Sequence, residues 1–240
     1  MSRRSAALLT LLAAIALAGC ESTEQESAKI AKRLGHQRAS AAVTKIKGAN
    51  SSVRIVSAQI VSSAGGTAAV LELSNSSSHA QADIPILITV YDAAGKAVYS
   101  NSTVGESSPS GELSLLGAHA TVWWVDSNVL ASGGTPVRVV VKIGAPTASP
   151  PAQSLSASRL ASGSNFVGPF ISGSANNSSA AAETDVTVYA VALAGARVVA
   201  AGQSLIPSLP AHGSASFQVN VDGKAKGATP AATIAPAHLG

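Results

Sequence analysis

Ile84-Pro85-Ile86-Leu87-Ile88-Thr89-Val90-Tyr91, followed by Asp92-Ala93-Ala94-Gly95, is the stretch that decides the fold. It is a short, β-branched apolar run closed by an Asp- and Gly-containing turn. A Val-bearing return follows at 96–100. Such a run, bounded in this way, predicts a strand and its hairpin partner rather than a helix.

Working outward, the same texture extends from residue 51 to residue 145. Val53-Arg54-Ile55-Val56 and Ala58-Gln59-Ile60-Val61 precede an Ala64-Gly65-Gly66 turn, and 68–73 leads into Asn75-Ser76-Ser77-Ser78. Runs at 113–125 and 136–143 bring the total to about seven strands, enough for an immunoglobulin-like sandwich. A Pro-rich segment at 146–152 then predicts a short, stiff linker. Beyond it the landmarks return in order: Asn177-Ser178-Ser179 for Asn75-Ser76-Ser77, Val186-Thr187-Val188-Tyr189 for Ile88-Thr89-Val90-Tyr91, and Leu209-Pro210-Ala211-His212 for Leu116-Gly117-Ala118-His119. Three ordered matches predict an internal repeat. The expected fold is therefore all-β, with two tandem immunoglobulin-like sandwiches at 51–145 and 153–240.

Asn-Ser-Ser after a strand, then Ile88-Thr89-Val90-Tyr91-Asp92-Ala93-Ala94-Gly95-Lys96, resembles the FxLYD-like extracytoplasmic domains. The resemblance covers both units. It implies β-sandwich domains of bacterial envelope proteins, usually without known catalysis.

The N-terminus points to the same compartment. Arg3 and Arg4 precede an almost wholly apolar run at 6–18 that ends in Leu17-Ala18-Gly19-Cys20. A basic head, a short apolar middle and small residues before a cut make an export signal, expected at 1–19. The run is too short for a permanent span of about 20 apolar residues. Leu-Ala-Gly-Cys resembles the lipobox of bacterial lipoproteins. That resemblance implies a diacylglyceryl group on the Cys20 thiol, removal of the preceding peptide, and frequent acylation of the new N-terminus. Cys20 is the one cysteine in the chain, and exported cysteines are usually paired; lipidation accounts for its being alone. Residues 20–50 read as a tether, flexible or partly helical, whose lysines and arginines can also meet anionic headgroups.

Composition narrows the function. Charged residues are 12% of the chain, and the formal charge of +4 falls to +2 without Arg3 and Arg4. The remaining cations are scattered, which argues against nucleic-acid binding. No Gly-x-Ser-x-Gly elbow, Walker-type loop or Gly-x-Gly-x-x-Gly run occurs. His36, His79, His119, His212 and His238 stand far apart, so neither a metal nor another cofactor is expected. His119 and His212 occupy equivalent repeat positions and read as turn residues. The chain is not expected to be an enzyme.

Trp123-Trp124 is the remaining signal. Neighbouring strand residues face opposite sides of a sheet. Aligning Leu116 with Leu209 places Trp124 on Phe217, Trp123 on Ser216 and Val125 on Gln218. Trp124 is thus expected in the core. Trp123 and Val125 form an apolar outer face read as an interface, either for an external partner or for the linker or second domain, and truncating Trp123 is expected to change folding little. The expected role is binding or scaffolding another envelope protein from a bacterial membrane. The alternative is a small-ligand or cell-wall-binding lipoprotein.

Overall fold

A computed structural model describes residues 46, 48–102, 111–146 and 154–237. The expected signal at 1–19, most of the tether at 20–50 and the linker beyond Pro146 lie outside the described residues. The chain from Val43 to Gly240 forms one compact unit.

All the regular structure in the described residues is strand. The first repeat contains β1 (Val53–Ser62), β2 (Thr67–Asn75), β3 (Gln81–Tyr91), β4 (Ala97–Ser100), β5 (Glu112–Leu116), β6 (Thr121–Asp126) and β7 (Arg138–Ile143). The second contains β8 (Leu155–Ser164), β9 (Pro169–Asn177), β10 (Glu183–Ala194), β11 (Arg197–Leu209), β12 (Ser214–Asn220), β13 (Asp222–Gly223) and β14 (Thr229–Ala235). Every pairing is antiparallel. Sheet β1-β2-β6 of the first repeat corresponds to β8-β9-β12 of the second. β3 is flanked by β7 on one side and by β4 and β5 on the other, and β10 is likewise flanked by β14 and by β11.

The register fixes the equivalence of the repeats. Leu71 pairs with Trp124 as Gly173 pairs with Phe217, and Ile84 pairs with Leu113 as Val186 pairs with Ile206. Even the unusual backbone recurs: Asp83 and Asp185 have φ 48° and 51°, and His119 and His212 have φ 54° and 47°. Val186 is therefore the counterpart of Ile84, four residues from the Ile88 that sequence alignment chose. The shift is even, so each side chain keeps its side of the sheet.

One difference is the edge beside β3. β11 runs unbroken along β10, whereas β4 and β5 cover β3 in two pieces. Between them, buried Asn101 stands in for backbone: its Oδ1 accepts from Ile88 N–H (2.9 Å) and its Nδ2 donates to Ile86 O (2.9 Å). Its amide completes the ladder that β11 makes with main chain alone.

Alternation along β10 shows how the repeats pack. Val186, Val188, Ala190 and Ala192 belong to the inner core of the second repeat. Tyr189 and Val191, on the opposite side, join the core of the first repeat, with Leu193 packed against it. Val70 and Val125, cross-strand partners on β2 and β6, are fully buried in that same core. The outer face of β1-β2-β6 thus lies on the outer face of β10, β11 and β14, and the sheets stack as four layers. Polar ties border this contact. Ser63 Oγ donates to Asp222 Oδ1 (3.0 Å) and Val198 N–H to Gln59 Oε1 (3.2 Å) at one end, and Ser114 Oγ donates to Pro236 O (2.7 Å) at the other.

Candidate functional site

The Trp123–Val125 face is the first candidate. Trp124 is fully buried opposite Leu71, and Phe217 is buried at the same position of the second repeat. Trp123 and Val125 point the other way, as alternation requires. That direction leads into the second repeat, not to solvent. Val125 has 0% exposure, Trp123 is half-buried against the shared core, and Trp123 N–H donates to Thr233 Oγ1 on β14 (2.8 Å). The physical reason is area: an apolar sheet face beside a second apolar sheet face is removed from water by stacking. No external partner can reach Val125 in this arrangement.

The histidine pair is a pair of turns. Asn75 Nδ2 donates to His79 O (2.8 Å) and Gly117 O (3.0 Å), while Asn75 Oδ1 accepts from Ser77 N–H (3.0 Å). Asn177 repeats this with Ala181 O, Pro210 O and Ser179 N–H. His119 N–H then donates to Ser77 O and His212 N–H to Ser179 O, which fixes both histidines in left-handed turns before β6 and β12. Each knot borders an open, polar cleft, one touching Asn177, Ser156 and His212, the other Asn50, Ser77 and His79. Among the described residues no group of three or more His, Cys, Asp or Glu is placed to hold a metal.

The opposite end of the unit is different, and its character was missed in sequence. There the β8–β9 hairpin presents Phe166 at 100% and Val167 at 61% exposure. The turn is tightly tied: Asn165 N–H donates to Gly168 O, Gly168 N–H to Asn165 O, and Asn165 Oδ1 accepts from Val167 N–H (2.9 Å). The twin β1–β2 turn carries Ala64-Gly65 instead, and a Cβ on Gly66 would press on the Asp222 carboxylate. The β1–β2 tip, though exposed at 62–65, rests against Asp222 of the second repeat; the Phe166 tip carries its apolar side chains out into solvent. The β6–β7 connection adds exposed Leu130 and Val137 at the same end. The signal available in sequence was Phe-Val between Asn and Gly, where a turn ordinarily carries polar residues.

Cys20 lies outside the described residues. The chain matches no protein-family model and no curated protein.

Proposed function

We propose that this chain is an exported bacterial lipoprotein, held on a membrane by lipid at Cys20, that binds or scaffolds another envelope protein without catalysis. The observation that carries the reading is the position of the single cysteine, directly after a basic head and a short apolar run and within Leu17-Ala18-Gly19-Cys20. Two or more acyl chains at that thiol, each contributing about 0.8 kcal/mol per buried methylene, make attachment stable rather than reversible. The FxLYD-like resemblance and the immunoglobulin-like reading of both repeats support an extracytoplasmic body.

The test is Cys20→Ala in a bacterial host. The wild-type chain is expected to partition with detergent and to yield an N-terminal peptide that starts at Cys20 and carries acyl mass. The variant is expected to remain an uncleaved precursor or to leave the membrane. A variant still processed and membrane-bound would sink the reading.

The second reading, a small-ligand or cell-wall-binding lipoprotein, is favoured by the open clefts beside the Asn75 and Asn177 knots, which are lined by different positions in the two repeats. Saturable binding of wall fragments that is lost on substituting cleft residues such as Ser156 would favour it over the first.

A further inference from the structure

The strands of both repeats run between the same two ends of the unit, because Ser63–Asp222 and Gln59–Val198 tie one pair of ends and Ser114–Pro236 the other. The two ends differ in chemistry. At the end of the β8–β9 hairpin, Phe166, Val167, Leu130 and Val137 are exposed on loops. Exposed cations share this end: Lys96 on the β3–β4 turn, Arg138 at the start of β7 with its guanidinium over the Tyr91 ring, Arg197 on the β10–β11 hairpin, and Lys224 and Lys226 on the segment after β13. That last segment lies beside the Phe166 hairpin, since Val221 N–H donates to Pro169 O (3.1 Å) and Ser162 Oγ to Ala228 O (3.3 Å). The carboxylates at this end are fewer than the cations: Asp92, whose Oδ1 accepts from Lys96 N–H, Asp222, which accepts from Ser63 Oγ, and Asp126, which accepts from Tyr99 Oη in the core. Asp83, Glu183 and Asp185 lie in the other half of their strands, toward the Asn75 and Asn177 knots, and Glu112 pairs with Pro85 near the middle of β3.

We infer that the end bearing Phe166 docks onto the surface of an anionic phospholipid bilayer, with Phe166 and Val167 entering the interface and Lys224 and Lys226 meeting headgroups. Apolar tips flanked by Lys and Arg are the chemistry of interfacial attachment. A lipid surface also suits the spacing of the apolar groups. They stand on separate loops, and an interface accepts separate insertions where a folded partner must match one continuous shape. The hydrogen bonds within the turn hold Phe166 outward, so little ordering is needed on contact. Residues 20–50 can extend to about 100 Å, against about 33 Å for a ten-residue strand. An anchor at Cys20 and this end can therefore meet one bilayer, but the docking does not depend on that anchor.

The test uses the full chain with Cys20→Ser and Phe166→Cys, which has a single thiol, labelled with the environment-sensitive fluorophore NBD. A second chain carries Cys20→Ser and Ala180→Cys, placing the probe in the exposed β9–β10 turn at the opposite end. With vesicles of phosphatidylglycerol and phosphatidylethanolamine, emission at position 166 is expected to rise about threefold or more and to be quenched by spin-labelled lipid; position 180 should stay aqueous. Adding Lys224→Glu and Lys226→Glu should raise the lipid concentration needed by about tenfold. The comparison of two sites removes any contribution from the apolar N-terminus, which would hold either chain on vesicles. An aqueous probe at 166, or an equal response at 166 and 180, overturns the inference. So does a response as strong on pure phosphatidylcholine.

Discussion

Trp123 N–H donates to Thr233 Oγ1 at 2.8 Å, joining the free edge of β6 to a side chain of the second repeat. An edge-strand N–H that is shut away from water needs an acceptor. Thr233 supplies one with a hydroxyl rather than with a ladder. Thr233→Val keeps the shape and removes that acceptor, and should cost about 1–3 kcal/mol, whereas Thr233→Ser should cost clearly less. Urea unfolding of the two variants checks this; equal midpoints would mean that the bond contributes nothing.

The paired tryptophans separate two kinds of burial. Trp124→Ala empties a fully buried site and should cost about 3–5 kcal/mol. Its indole N–H finds no acceptor among the described residues, and the second repeat has Phe217 in its place. Trp124→Phe therefore removes an unsatisfied donor along with some volume, and should cost no more than about 1.5 kcal/mol. Trp123→Ala should fall between these values, at about 2 kcal/mol, because Trp123 is half-buried against the shared core. That revises the expectation, from sequence, of a nearly silent substitution. Denaturant midpoints for the three variants give the ranking, and a silent Trp123→Ala would show that the stacked layer is not formed.

Stacking of the repeats also has a consequence for cooperativity. Both tryptophans lie on β6 of the first repeat, while Val191 is on β10 of the second and buried in the shared core. Val191→Ala should lower the unfolding midpoint read by tryptophan fluorescence, by roughly 1–3 kcal/mol, within one transition. Two sandwiches on a linker, unfolding independently, would leave that signal unmoved.

Period-2 patterning made the strands, the Trp124 core position and the Asn75–Asn177 equivalence legible in sequence, because each depends on local chemistry. It could not place Val186 opposite Ile84, since a four-residue slip leaves the alternation unchanged. Nor could it say what covers Val125. An outward apolar residue on a strand reads alike whether its cover is another protein or the next repeat. Phe166 was passed over because turn chemistry, Asn before and Gly after, explains the hairpin without asking why an aromatic sits at its tip.

Asn101 is the last relationship with a measurable consequence. The first repeat replaces one long edge strand by β4 and β5, and the interruption leaves Ile88 N–H and Ile86 O without a main-chain partner on that side. The Asn101 amide meets both, one with its oxygen and one with its nitrogen. A buried amide suits this place because it offers an acceptor and a donor side by side, as a peptide group does. Asn101→Asp keeps the acceptor but sets a carboxylate oxygen against a carbonyl, and Asn101→Leu satisfies neither group. Each variant should cost about 2–4 kcal/mol, the penalty for buried polar groups left unmade. Asn101→Gln, with the same groups on a longer stem, should recover only part of the loss. Hydrogen exchange at the Ile88 amide gives the local test: strong protection in the wild type and a fall of about tenfold or more in Asn101→Leu. Unchanged protection there would mean that main chain, not the Asn101 side chain, closes the ladder.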